Sequence, residues 1–255
     1  MTTGYLQDTA INRIDHEYGA LRLESRHSAP RYVPLRLLTR VVAKGAIDWS
    51  AQALAACLTA DIPIALLGSD GDPLGYITAA KPKSTTFNNL SRSLQHLPVN
   101  TDFTAWHRSR ERFAMIKNLS NKRWKLNDLR PDTVWAQECL DHQRLRPTFN
   151  ASQTDKQMSQ LLEVWLHNEL ISRSVDNSLM RDDTGTPGIN LLSALKDSMI
   201  WLLRSRYGQW HHKANDNFSA EIAFENMLTR LGIALRNELN NLQKWIQEVY
   251  SDHGH

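Results

Sequence analysis

Two carboxylates one helical turn apart follow a pair of histidines in the last fifth of the chain. Glu221 and Glu225 stand at i and i+4, and His211 and His212 precede Glu225 by 14 and 13 residues. Carboxylate oxygens with a neutral imidazole suit a hard divalent ion such as Mg2+ or Mn2+. Such an ion lowers the pKa of a hydroxyl nucleophile and offsets charge building on a phosphoryl group. Without an ion, the same acids read as solvated residues of a helix N-terminus, where the macrodipole favours negative charge. Upstream, Glu163 and Glu169 share one helical pattern. Six residues at about 100° each set them about 120° apart, so a single inward stripe cannot hold both. Glu163 shares its face with His167 and Leu170, whereas Glu169 is spaced for an i,i+4 surface pair with Arg173.

Charge is the second source of chemistry. The 255 residues carry a net +3, but unevenly: residues 81–146 hold 13 Lys and Arg against 6 Asp and Glu, a net +7, and the rest hold 17 against 21, a net −4. The basic run Arg108, Arg110, Arg112, Lys117, Lys122, Arg123 and Lys125 is interleaved with Trp106, Phe113 and Trp124. On a helix, Trp106, Phe113, Ile116 and Leu119 would face inward while the cations fan outward. That fan is suited to a phosphate backbone, or it is a solvated basic face. Gly68, Gly71 and Gly75 form no phosphate cradle, because no Gly-Lys-Ser/Thr follows them and no helix opens there. Cys57 and Cys139 have no zinc-type spacing and read as small buried apolar residues of a reduced, cytoplasmic protein. No apolar run is long enough to span a bilayer, so no membrane partner is expected.

The elements that must position these groups divide the chain in two. Pro34–Val42 reads as a proline-led strand, followed by Gly45 and a short polar strand. Ser50 is placed to cap a helix over Ala51–Thr59; Ile62–Leu67 is a further strand, and Asp70-Gly71 is a hairpin turn. Residues 1–80 are therefore read as a β domain, 81–100 as a linker, and 101–255 as an α-helical domain, giving an α+β fold. The expected helices run from Thr101 to about Trp124, from Pro131 to before Pro147, from Ser152 or Thr154 onward, over Ile189–Tyr207, and over about Phe218–Tyr250. The Ile189–Tyr207 helix is apolar enough for the centre of a bundle. The remaining histidines, His107 and His142 among them, show no ligand spacing and read as exposed or locally bonded.

The order of parts over Arg31–Tyr76 resembles the N-terminal domain of the CRISPR-associated spacer integrases, the Cas-one family. The resemblance rests above all on Gly45-Ala-Ile-Asp-Trp-Ser-Ala-Gln-Ala-Leu54 and Asp61-Ile-Pro-Ile-Ala-Leu-Leu-Gly-Ser-Asp-Gly-Asp-Pro-Leu-Gly75. Two helical pieces add to it: Gly188-Ile-Asn-Leu-Leu-Ser193 is similar to the family's Pro-x-Asn-x-Leu-Leu-Ser helix start. Asn217-Phe-Ser-Ala-Glu-Ile-Ala-Phe-Glu225 resembles the acidic motif after its active-site histidine.

The resemblance implies a small β domain before a helical one, and a glutamate, a histidine and a later acid holding Mg2+ or Mn2+. Carried over, the catalytic set is Glu163, His211 and Glu225, with Glu163, His211, His212, Glu221 and Glu225 as the pool of metal ligands. Glu163 is favoured over Glu169, and the histidine is His211 or His212. The family's usual glycine after the glutamate is Val164 here, and its usual final aspartate is Glu225. The implied activity is metal-dependent DNA integration and cleavage, inserting short DNA into a repeat array by 3′-hydroxyl attack on phosphodiesters. The implied partners are double-stranded DNA through Arg108, Arg112, Lys117, Lys122, Arg123 and Lys125, a second copy of the chain joined through the β domain, and the small companion protein Cas-two. A non-catalytic DNA-binding homologue is the alternative; a helical interaction scaffold with a merely solvating basic middle is a third reading.

Overall fold

The computed structural model describes residues 2–7, 11–26, 28–79, 88–97, 102–119, 130–145, 150–180, 189–207, 210 and 220–252. It divides into two compact units, Met1–Lys83 and Ser84–His255.

The first unit is built from two four-stranded sheets. In one, the order is β1 (Thr2–Gln7), β5 (Leu38–Lys44), β7 (Ile64–Leu67), β8 (Pro73–Ile77); the first two pairings are parallel and the last is antiparallel. In the other, the order is β4 (Arg31–Pro34), β3 (Ala20–Glu24), β2 (Arg13–Glu17), β6 (Asp48–Trp49). Helix α1 (Ala51–Thr59) packs against β2. Leu6, Ile14, Leu21, Val41 and Ile64 from both sheets meet Ala53 and Cys57 of α1 in one core. Burial pushes the Cys57 thiol up to about 11, as expected of an unreactive core cysteine. Ser50 caps α1: its hydroxyl accepts from the Ala53 amide at 3.1 Å and donates to Asp15 Oδ1 on β2 at 2.7 Å. The same hydroxyl therefore starts the helix and ties it to the sheet. Gly71 takes φ 92 in the turn between β7 and β8, a conformation that favours glycine.

The strand expected over Pro34–Val42 is corrected. β4 ends at Pro34, a 3-10 turn occupies Leu35–Leu37, and β5 begins at Leu38. Pro34, which has no amide to donate, is accommodated at the end of β4 because β4 is the edge strand of its sheet.

The second unit is helical among its described residues: α2 (Asn88–Gln95), α3 (Phe103–Asn118), α4 (Pro131–Leu145), α5 (Ala151–Ser172), α6 (Leu191–Arg204), α7 (Ala220–Glu225) and α8 (Leu228–Asp252). Short polar side chains start three of them. Asp102, Asn150 and Asn190 accept from the amides of Ala105, Gln153 and Ser193, so Asn150 takes the place expected of Ser152 or Thr154. Helix α6 is central: α3, α5 and α8 all pack on it, and Leu191, Leu195, Trp201 and Leu203 are buried. Helix α2 lies within the stretch read as a linker. Tyr250 of α8 holds its end, with the hydroxyl 2.9 and 2.8 Å from the carbonyls of Ser93 and His96. The single helix expected over Phe218–Tyr250 is two helices, α7 and α8, broken by a turn at Asn226–Met227. No helix among the described residues is long and apolar enough to cross a membrane.

Candidate functional site

Helix α5 carries both upstream glutamates. Its buried stripe includes Met158, Leu162, Trp165, Leu166 and Leu170, and it packs against α6 and α7. Glu163 stands at the margin of that stripe, about a quarter exposed, where Lys196 Nζ of α6 donates to its Oε2 at 2.8 Å. Glu169 pairs instead with Arg173, the C-cap of α5, at the i,i+4 spacing expected, though the pair is partly buried rather than on the open surface. His167, which shares the Glu163 face, is buried. Glu221 and Glu225 fall on α7, the helix that packs on α5. His211 and His212 lie outside the described residues, as do Lys122, Arg123 and Lys125.

Glu163, Glu221 and Glu225 are oxygen donors of the kind Mg2+ or Mn2+ takes. Yet no three His, Cys, Asp or Glu side chains come together as a metal-holding group among the described residues. Glu163 already has an ammonium against it. The described residues therefore supply ligand chemistry without a closed ligand set.

Two further charged constellations flank α6, and neither was foreseen. Asp155 of α5 accepts from Arg204 Nε at 3.0 Å, from Arg204 Nη2 at 2.8 Å, and from the Tyr207 hydroxyl at 3.1 Å. The Arg204 guanidinium also lies 4.3 Å from the Trp135 ring centroid and 4.6 Å from that of Trp201. Burial and the Asp155 carboxylate raise the Tyr207 hydroxyl well above its usual value, so it is a neutral donor. On the other side, His107 Nε2 of α3 lies 3.1 Å from Asp197 Oδ2 of α6. Glu111, one turn along α3, is raised by burial and then by Asp197. His107 is thus half-buried and paired across helices, and His142 is buried 3.9 Å from Glu138. The reading of these two as exposed or locally bonded is corrected for His107; His142 pairs locally but is not exposed. A signal for the α5–α6 pairs was present: Asp155 and Glu163 are eight residues apart, and so are Lys196 and Arg204. Opposite charges at matched two-turn spacing fit two helices running antiparallel.

The basic helix α3 is corrected in register. Trp106 and Leu119 are buried as expected, but Phe113 and Ile116 are about half exposed, and Ala114 and Met115 take the inward face. Arg110 also turns in, donating from Nε and Nη2 to both oxygens of Glu238 on α8 at 2.9 and 2.8 Å. Arg108, Arg112 and Lys117 are exposed.

Comparison with known proteins gives the context. Residues 7–126 match the family model described as CRISPR associated protein Cas1. A CAS1 protein from Thermotoga maritima superposes with TM-score 0.62 at 14% identity, over 96% of this chain and 97% of that one. TtCas1 superposes with TM-score 0.60 at 10% identity, over 94% and 97%. A casposase bound to integration product gives TM-score 0.59 at 11% identity, over 91% and 82%. At such identities these likenesses establish the fold alone. None of the curated proteins compared with the chain matches it in sequence.

Proposed function

The chain is a member of the Cas1 family by its residues 7–126 and has the Cas1 fold, and we propose that it is a DNA integrase and nuclease. The family match carries this reading. In it, Glu163 of α5, His211 or His212, and Glu225 of α7 form the reaction centre, with Glu221 beside them. The packing of α7 on α5 supports this grouping. Mg2+ or Mn2+ is the cofactor this set would take, and when bound it would lower the pKa of an attacking 3′-hydroxyl. The reaction proposed is insertion of short DNA into a CRISPR array.

The exposed cations of α3, Arg108, Arg112 and Lys117, with Lys122, Arg123 and Lys125 after them, would track phosphates. TtCas1 also shares this fold in a TtCas1-DNA complex, at TM-score 0.55. A chain of a Cas6-RT-Cas1–Cas2 complex shares it at TM-score 0.53, over 99% of this chain and 35% of that one. Double-stranded DNA, a Cas2-like companion and a second copy of this chain are the partners proposed here.

The test is incubation of the protein with supercoiled plasmid, a short duplex bearing 3′-hydroxyls, and Mn2+. Joined or relaxed products are expected. Glu163→Ala and Glu225→Ala should each abolish them while DNA binding survives, and Glu169→Ala should remain active. A dead Glu169→Ala beside an active Glu163→Ala would move the centre to the other face of α5. Absence of any product from the parent protein would favour a non-catalytic DNA-binding homologue. The Glu163–Lys196 ion pair is the observation on that side.

A further inference from the structure

The two cross-helix ion pairs between α5 and α6 share a register but differ in construction. At Asp155–Arg204 both carboxylate oxygens are engaged, a tyrosine hydroxyl adds a third donor, and two indole rings flank the guanidinium. Both side chains there are about one-seventh exposed. At Glu163–Lys196 a single contact joins Nζ to Oε2 at 2.8 Å, and both side chains are 26% exposed. The first is a clamp. The second is an open, monodentate pair that solvent and ions can reach.

The other acids and bases nearby on the two helices have partners of their own. Glu169 holds Arg173, and Asp197 faces His107. Lys196 is therefore the cation assigned to Glu163. An ammonium is a compact point charge with three donors on a flexible stem, able to swing away without refolding the helix. A divalent ion bound through the same carboxylate would sit within a few Å of that ammonium and be repelled by it.

We infer that Lys196 is a tethered cation that competes with divalent metal for the Glu163 carboxylate, so that metal enters only as the lysine leaves. The inference rests on the proposed reaction centre for its importance to function. The ion pair itself stands independently of that reading. Lys196 would then act as a positioning and gating residue, without touching the reacting atoms.

The test is a titration of the full chain with Mn2+, following the free-ion resonance by electron paramagnetic resonance in the absence of DNA. Lys196→Met keeps the stem and removes the charge, and should bind Mn2+ at least about tenfold more tightly than the parent, as expected for removing a unit charge a few Å from the ion. Lys196→Arg should retain the parent's weak affinity. Adding Glu163→Gln to Lys196→Met should return the affinity to the parent's level. Lys196→Gln serves in the same comparison if the Met variant loses its helical circular dichroism. Equal affinities in the parent and the charge-free variants would overturn the inference, and so would tight binding that survives Glu163→Gln. Strand joining, measured separately, distinguishes the two readings. If the parent joins DNA while Lys196→Met gains no affinity, the inference alone fails. If Lys196→Met gains Glu163-dependent affinity and no form of the protein joins DNA, the integrase reading alone fails. Absence of binding in every variant overturns the inference, and only a simultaneous absence of strand joining overturns the integrase reading as well.

Discussion

At the scale of single residues, the best-determined charge in the helical unit is Asp155, and it serves structure. It satisfies a guanidinium and a phenol, all largely buried. Removing one partner of such a pair strands the other in a poorly solvated place. Asp155→Ala should lower the urea unfolding free energy by about 3 kcal/mol, the lower end for breaking buried pairs. A loss below the error of the measurement would show that Arg204 finds solvent or another acid. Glu111 gives a prediction of opposite character. Burial first, and then the nearby Asp197 carboxylate, raise it above its ordinary 4.5. A raised acid favours the protonated form in the native state, so its contribution is full below the unfolded pKa and is lost as pH rises through the native one. Glu111→Gln removes that loss. The variant should gain stability relative to the parent on going from about pH 4 to about pH 7, with no gain at the lower pH. Melting curves of both proteins across that range will show the difference or its absence.

The sequence exposed the residue types of the site more clearly than their pairings. Glu169–Arg173 was legible because i,i+4 contacts depend only on helix geometry. Glu163–Lys196 spans 33 residues: the matched eight-residue spacings on α5 and α6 allow it, but which acid meets which base depends on how the two helices pack. The inward turn of Arg110 misled the reading of α3 for the same reason. A basic residue that finds Glu238 on a distant helix can occupy the buried face, leaving Phe113 outside.

At the scale of elements, capping was the most readable feature, because a cap is written in one residue next to its helix. Ser50 performs two tasks, accepting from Ala53 and donating to Asp15. The donated bond also holds the Asp15 carboxyl below its ordinary value. Ser50→Ala should therefore cost more than an isolated cap, about 1–2 kcal/mol by denaturant unfolding. Ser50→Asp would keep a cap acceptor but set two carboxylates together, and should not recover that loss. Helix α3 carries a second prediction at this scale. Charge reversal at Arg108 and Arg112 together should weaken binding to duplexes of any sequence. The slope of log affinity against log salt should fall by about 1 for each phosphate contact removed. Arg110→Glu is the wrong variant for this purpose, since it would break the pair with Glu238 and confuse binding with stability.

At the scale of the whole molecule, the separation into a β unit and a helical unit follows from periodicity, which changes from alternation to helical spacing along the chain. The Cas1 family match over residues 7–126 begins in the first unit and ends just beyond α3 in the second. Sheet edges remain in the β unit, and they bear on self-association. Strand β8 closes one sheet and carries Leu74, which is 72% exposed. A large aliphatic side chain on an edge strand leaves both apolar surface and unpaired backbone groups, features that a second copy of the chain could cover. The proposed homodimer should accordingly weaken when that edge is charged. Sedimentation equilibrium of the full chain at micromolar concentration should show a dimer for the parent. Leu74→Lys should raise its dissociation constant at least about tenfold, about 1.4 kcal/mol, which is less than the full burial of one aliphatic side chain is worth. Because Leu74 contributes nothing to the core, the variant's melting temperature extrapolated to low concentration should match the parent's. A parent that sediments as a monomer throughout, or a variant that dimerises as well as the parent, would place the β8 edge outside any interface between copies.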